Sequence, residues 1–281
     1  MVNLASTAWF LRALLAYPRG IRRNVSSGGP EVSEETTSVL VAGVDIGGTG
    51  IKAAPVHVAT GELAAERILL PTPRPATPQA IASVVSDVLQ HIDAPGPVGL
   101  AIPAVVRGAI VETASHIDQT WIGVNAADFF SKVTGRPVAV LNDADAAGVA
   151  EIRFGAGRGI AGLVAVITLG TGIGSALVTD GVLVPNSELG HLPLHDGVAE
   201  QWAAESVRER EDLSWPEYAD RLQTYLELVQ RVLWPQLIII GGGISNVADK
   251  FLPQIELRTP MVPAQLLNHA GIIGAALHAP G

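Results

Sequence analysis

The chain has 281 residues, 48% of them hydrophobic, enough apolar material for one large domain or two ordinary ones. It contains no cysteine, which excludes disulfides and a thiolate zinc site and fits a reducing, cytoplasmic setting. A formal net charge of −9 argues against general nucleic-acid binding, and no apolar run reaches the roughly 18 residues that a membrane span requires.

Residues 1–30 stand apart from the rest. They carry Arg12, Arg19, Arg22 and Arg23, and all 27 acidic residues of the chain lie after them. The stretch STAWFLRALLAYPRGIRRN has the makings of a short basic amphipathic helix for a membrane surface or a partner. It is a poor signal peptide, because Arg12 interrupts the apolar run and no basic residue precedes it. We read residues 1–38 as a poorly ordered N-terminal extension that ends in the linker SSGGPEVSEETTS.

The first strand is SVLVAGVDI (38–46), a continuous apolar run closed by a carboxylate and glycines. IKAAPVHVA and ELAAERILL give two more strands, joined by a turn at Thr60 and Gly61. PQAIASVVSDVLQHI (78–92) has helical spacing with Pro78 near its start. PVGLAIPAVV is a strand running into a proline turn, and NAADFFSKVTG is a short helix stopped by Gly135. PVAVLND is a strand ending at Asn142 and Asp143, and ADAAGVAEIRFG is the helix that follows. The cycle then restarts. GLVAVITLG and TGIGSALVTDG form a hairpin, and helices follow at about 198–211 and 215–233. PQLIIIGGG is a strand leading into a helix near Asn246, and a small-residue helix near 264–278 ends the chain. Alternating strands and helices predict largely parallel sheets covered by helices. The repeated unit predicts two such units facing each other across a cleft.

The tetrapeptide GTGI occurs twice, starting at Gly48 and at Gly170. A turn with exposed N–H groups and no side chains can approach phosphate oxygens closely, although a tight hairpin alone also accounts for either copy. Together they predict a phosphate grip by Gly47, Gly48, Thr49 and Gly50 from one side and by Gly170, Thr171 and Gly172 from the other. Asp45 ends the first strand, where a carboxylate is costly unless it holds a cation; phosphoryl transfer uses Mg²⁺. Lys52 is either a further positive charge for the site or a solvent-facing strand lysine. Gly241, Gly242 and Gly243 form a third turn, suited to a nucleotide phosphate or ribose, or to packing of helix on strand. Lys52, Arg153, Arg158 and Arg74 lie near these motifs and are the basic residues a polyanion would need, or else ordinary surface charges.

Taken together, DIGGTGIK, NDADAAGVAE, TLGTGIGSAL, PNSELGH and IIIGGGIS resemble the ROK sugar kinases of the actin-like ATPase superfamily. TPRPATPQA, REREDLSW and VPAQLLNHAGIIGAA extend the likeness to the polyphosphate-glucokinase branch of that family, over residues 39–278. The resemblance implies an α/β actin-like ATPase (RNase H-like) fold, with two α/β lobes around a central cleft and the C-terminal helix returning to the first: residues 39–141 with 264–281, and a larger lobe of residues 142–263. It implies phosphoryl transfer from polyphosphate, and usually also ATP, to the 6-hydroxyl of glucose or a related hexose. Mg²⁺ and a homodimer are implied with it.

By the same resemblance Asp143 is the general base; from its position alone it reads equally as a helix N-cap. Asn142, Glu188, His191 and Glu200 match sugar-contacting positions. The cysteine zinc motif of many ROK kinases is absent, so no zinc is expected and His191 is a sugar contact or a hydrogen-bond brace. Asp145 is expected to be structural or to support the site from behind its contact residues. Three positions depart from the branch: His116 replaces an Asn that touches the sugar, Ala101 replaces a Thr and Pro193 replaces a Glu. They predict an altered sugar preference or efficiency. The alternatives are an ATP-dependent hexose or aminosugar kinase and a catalytically impaired sugar-binding paralogue. A ROK repressor would carry a helix-turn-helix domain ahead of the first strand, for which residues 1–38 lack two clean helices.

Overall fold

Strand β1 (Leu40–Ile46) is buried along nearly its whole length and pairs antiparallel with β2 (Gly50–His57). These are the first elements in a computed structural model that describes residues 39–115 and 117–281. The extension 1–38 and His116 lie outside the described residues. The short strands β3 (Glu62–Leu63) and β4 (Ile68–Pro71) both pair with β2. Beyond β1 lie β5 (Val98–Ile102) and, after the small hairpin of β6 (Val106–Arg107) and β7 (Ile110–Val111), β8 (Val138–Asn142). The sheet order is β3-β2-β1-β5-β8, and β1, β5 and β8 are parallel.

The second sheet repeats the scheme. The hairpin of β9 (Leu163–Leu169) and β10 (Ile173–Thr179) carries β11 (Val182–Val184) on its outer side. After a two-stranded ribbon, β12 (Pro193–Leu194) with β13 (Gly197–Val198), come β14 (Leu237–Gly241) and β15 (Met261–Pro263), which run parallel to β9. The order is β11-β10-β9-β14-β15. β5 and β14 are buried at every position, as parallel strands covered on both faces must be.

Helix α1 (Pro78–Leu89) starts at Thr77, whose Oγ1 accepts from Ala80 N at 3.3 Å, and buries Ile81, Val85 and Val88 on one stripe. Helix α2 (Ala126–Thr134) is capped by Asn125 and stopped by Gly135 at φ 67°. Helix α3 (Asp143–Phe154) packs on β10 and β9 and also on the last helix, while that last helix packs on β1 and β5. The two helices therefore join the sheets. Small residues permit this contact: a Cβ on Gly274 would lie 1.8 Å from the Ala146 carbonyl oxygen. Each sheet has its own core, one around Trp121 and Phe130, the other around Tyr218, Tyr225 and Phe251. Residues 39–281 pack as one unit. Among the described residues no helix is long and apolar enough to cross a membrane.

Several expected elements are corrected. ELAAERILL is not one strand but β3 and β4, separated where Ala64 N turns back to Pro55 O at 2.8 Å. The helix expected over 78–92 ends at Leu89, because Pro95 and Pro97 follow closely and Arg136 holds the carbonyls of Ala94 and Gly96. The helix expected over 198–211 is two, α4 (Ala199–Ala203) and α5 (Glu205–Arg210), broken at the extended Ala204. That break lets Ser206 reach the second glycine turn. Helix α6 (Trp215–Leu233) matches its expected span, with a capping box of Ser214 and Glu217. No α-helix follows GGGIS; Gly243–Lys250 is 3-10 backbone kinked at Val247. The last helix, α7, covers only Ala270–His278, because Glu151 takes the amides of Gln265 and Leu266 at 3.2 and 2.7 Å.

Candidate active site

The C-terminal ends of β1, β8, β9 and β14 lead into one cavity of about 470 Å³. Both glycine turns, Asp45, Lys52, Asn142, Asp143, Glu188, His191, Glu200 and Gly241 to Gly243 line it. Gly50 does not; it is the first residue of β2.

Asp45 and Lys52 are cross-strand partners in the β1–β2 hairpin, and Lys52 Nζ lies 3.1 Å from Asp45 Oδ2. Lys52 is therefore the cation that makes a buried Asp45 tolerable, so burial alone does not call for a metal there. The first turn of α7 lies against the same carboxylate: a Cβ on Gly271 would stand 2.7 Å from it. A helix N-terminus favours negative charge at this place.

The two turns are braced alike. In the first, Gly47 N donates to Gly50 O at 2.9 Å, Thr72 Oγ1 to Gly47 O at 2.6 Å, Arg74 Nη2 to Gly48 O at 3.0 Å and Thr72 N to Thr49 O at 3.1 Å. In the second, Gly170 N donates to Gly172 O at 3.1 Å, Ser206 N to Gly170 O at 3.1 Å and Ser206 Oγ to Thr171 O at 2.6 Å. The carbonyls are thus occupied. The amides of Gly48, Thr49, Thr171 and Gly172 donate to no acceptor among the described residues. Donors fixed in this way on two sides of a cavity are an anion cradle. A Cβ on Gly170 would meet nothing within 4 Å, so packing does not demand glycine there. Gly242 differs: its φ is 84° and a Cβ would lie 2.1 Å from Leu169 O, so its glycine is structural.

At the other end of the cavity Asn142 caps α3, its Oδ1 accepting from Asp145 N at 3.0 Å while its Nδ2 donates to Ala104 O at 3.1 Å. Asp143 is thereby relieved of capping. It keeps partial exposure to the cavity and accepts from Ala144 N at 2.8 Å. Dense surroundings, then the charges of Asp45 and Glu188, push its carboxyl up to about 7. His191 stands between two carboxylates, Nδ1 3.5 Å from Glu188 Oε2 and Nε2 3.6 Å from Glu200 Oε1. Burial and Glu200 raise the Glu188 carboxyl, and His191 opposes them. Glu200 also accepts from Ile173 N at 3.3 Å, just after the second turn.

Other expected residues fall elsewhere. Ala101 is fully buried beside Asp45 in the sheet, and Pro193 is an exposed residue at the start of β12; neither lines the cavity. Two of the three departures are thus not in the cavity wall, and the third, His116, lies outside the described residues. Arg153 lines a separate cavity of about 520 Å³ and stacks over Phe154 at 5.5 Å, and Arg158 lines neither. Of the basic residues named from the sequence, Lys52 and Arg74 are at the first turn. Reasoning from sequence missed Thr72, Ser206 and Gly271. Thr72 and Gly271 lie within the stretches TPRPATPQA and VPAQLLNHAGIIGAA, but their contacts, like that of Ser206, span 25 residues or more of chain and no local pattern marks them.

The family model described as "ROK family" matches residues 41–202. The chain is 47% identical over 257 residues to a polyphosphate glucokinase of Mycobacterium tuberculosis, covering 90% of this chain and 97% of the relative. It superposes with a TM-score of 0.83, at 48% identity, on an inorganic polyphosphate/ATP-glucomannokinase from Arthrobacter sp. strain KM, covering 85% of this chain and 97% of that one. A ROK family glucokinase from Streptomyces griseus, in complex with glucose and AMPPNP, is 25% identical with a TM-score of 0.74, over 85% of this chain and 99% of that one. The fold is the actin-like ATPase fold of these sugar kinases. On the family match and on identity along nearly the whole of a characterised relative, the chain belongs to the ROK family.

Proposed function

We propose that this protein transfers the terminal phosphoryl group of inorganic polyphosphate, and also of ATP, to the 6-hydroxyl of glucose or a related hexose, giving the hexose 6-phosphate. The observation that carries it is the pair of braced turns with unclaimed amides, which line one cavity together with Asp143. The polyphosphate glucokinase and glucomannokinase relatives support the choice of donor and sugar.

The donor's phosphates lie between the amides of Gly48 and Thr49 and those of Thr171 and Gly172, with Lys52 adding positive charge. Gly241 to Gly243 hold the far part of the donor. Glu188, His191 and Glu200 hold the sugar hydroxyls, and Asn142 fixes the head of α3. Asp143 accepts the proton of the 6-hydroxyl as its oxygen bonds to the terminal phosphorus. The bond from that phosphorus to the rest of the donor breaks, and the donor leaves one phosphate shorter. A carboxyl with a proton affinity near neutrality suits that task. The lobes we assign are residues 39–141 with 264–281, and residues 142–263; each supplies one turn, so closure grips the donor from both sides.

Mg²⁺ is part of this proposal. Asp45 offers it one carboxylate, and among the described residues no three His, Cys, Asp or Glu converge into a metal group. Such a site fits an ion that arrives on the donor phosphates and takes most of its ligands from them and from water. When bound, the ion neutralises charge on the transferring phosphoryl oxygens. A homodimer is proposed from the family resemblance, and a cytoplasmic setting from the absence of cysteine.

The test is an activity matrix of polyphosphate and ATP against glucose, mannose and glucosamine, with and without Mg²⁺. Mg²⁺-dependent glucose 6-phosphate from polyphosphate is expected, with mannose as a second acceptor. No turnover with polyphosphate and any hexose would overturn the proposal.

A further inference from the structure

Asp145 lies two residues beyond the proposed base and is 1% exposed. Its backbone N donates to Asn142 Oδ1 at 3.0 Å, and its own Oδ2 accepts from Asn186 N at 2.8 Å. Its Oδ1 has no hydrogen-bond partner among the described residues. Asn186 is a non-glycine residue held at φ 59°. Its side chain grips both edges of one residue, Oδ1 accepting from Val106 N at 2.9 Å and Nδ2 donating to Val106 O at 2.8 Å. Asn142 holds Ala104 O two residues earlier. Asp145 is therefore the node that joins the head of α3 to the Asn186 loop, and both of its partners hold the wall segment Ala104–Val106. Glu188 comes two residues after Asn186. On its other side the loop is held by Ser175, whose Oγ donates to Ser187 O at 2.6 Å and accepts from Leu189 N at 3.0 Å.

We propose that Asp145 is a positioning residue for the sugar: through Asn186 it fixes Glu188 against the helix that carries Asp143. This rests on the proposed kinase function. The bond its carboxylate makes is to a backbone amide of the loop that delivers Glu188, the proposed sugar ligand. Burial first, opposed by the Asn186 amide and assisted by the charge of Glu188, pushes its carboxyl up to about 6, which fits its place beside Glu188.

The test is steady-state kinetics on the full chain, with glucose and polyphosphate varied separately. The variants are Asp145→Ala, Asp145→Asn, Glu188→Gln and the Asp145→Ala/Glu188→Gln double. Asp145→Ala should raise the glucose KM about tenfold and leave the polyphosphate KM within about twofold. Asp145→Asn, which keeps an acceptor for Asn186 N, should recover most of the loss. In the Glu188→Gln background the effect of Asp145→Ala should shrink to about twofold or less, because the two act on one contact. An unchanged glucose KM, an equal rise in both KM values, or a full tenfold effect on top of Glu188→Gln would overturn the assignment. Should Asp145→Ala fail to fold, Asp145→Leu gives the same reading, since it fills the volume of the carboxylate and still removes the acceptor of Asn186 N. It should raise the glucose KM selectively, and an unchanged value would overturn the assignment. Wild-type turnover separates the two ideas: if wild type works and Asp145→Ala equals it, only the positioning role falls. If wild type fails, the kinase function falls and takes this role with it.

Discussion

The parts of the cavity proposed for phosphate and for sugar are built from different materials. The phosphate end is backbone: four unclaimed amides in two turns, with their carbonyls tied back by Thr72, Arg74 and Ser206. The sugar end is side chains gathered from separate elements, namely Asp143 at the head of α3, Glu188 and His191 in the loop after β11, and Glu200 in α4. A repeating anion presents the same oxygens along its length, so fixed N–H groups suffice for it. A sugar presents hydroxyls that both donate and accept, so its end needs carboxylates and an imidazole that can be matched to each. One consequence is electrostatic. Burial first, then the charges of Asp45 and Glu188, raises the Asp143 carboxyl, so groups from both ends act on the proposed base.

The largest expected effect falls on the border between the ends. Asp143→Asn should lower kcat by about a thousandfold while leaving the glucose KM within about threefold, measured with saturating polyphosphate. A loss carried by KM alone would make Asp143 a sugar ligand and not a base. Next is the sugar end itself. Glu200→Ala should raise the glucose KM by about thirtyfold with little change in the polyphosphate KM. A matching rise for polyphosphate would erase the division between the two ends. At the phosphate end, Gly170→Ala should fold normally and raise the polyphosphate KM about tenfold, because its methyl would occupy space left for the donor. Gly242→Ala should instead lower Tm sharply, since its Cβ meets the Leu169 carbonyl. Equal loss of Tm in both would mean that the second turn's first glycine is structural after all.

Smaller effects concern protons. A base must be ionised, so kcat/KM should fall as pH drops below about 7, the value to which burial, Asp45 and Glu188 push Asp143. Residual activity of Asp45→Asn should show that limb displaced to lower pH, because one of the raising charges is gone. Stability moves the opposite way. The carboxyl of folded Asp143 holds its proton more tightly than that of the unfolded chain, so its burial becomes a burden as pH rises from about 4 through 7. Asp143→Asn should therefore be more stable than wild type at pH 8 by on the order of 2 kcal/mol, discounted for partial exposure, and the gap should close toward pH 4. Chemical denaturation at the two pH values measures it.

The same division decides what could be read from the sequence. Glycine turns advertise themselves: DIGGTGIK and TLGTGIG each sit between β-branched runs, and both do form hairpin turns at the cavity. Asp143 was legible as a candidate: its place between a strand end and a helix start left base and cap equal, and the family resemblance favoured the base. Its alternative role as helix cap could not be dismissed until Asn142 was seen to hold the Asp145 amide. What tied the turns was not legible. Ser206 meets the second turn because α4 and α5 break at Ala204, a local φ/ψ choice that no proline or glycine signals. Ala101 was read as bearing on sugar preference because it departs from the Thr of the family branch. The sheet register puts it instead beside Asp45 in the core. Long-range register, not residue type, decided that position.

The most direct measurement of the central claim is a crystal structure of the Asp143→Asn protein with a short-chain polyphosphate, Mg²⁺ and glucose bound. This account predicts phosphate oxygens within hydrogen-bond distance of the Gly48, Thr49, Thr171 and Gly172 amides, and the glucose 6-hydroxyl against residue 143. A polyanion bound elsewhere, with those four amides turned to water, would contradict it.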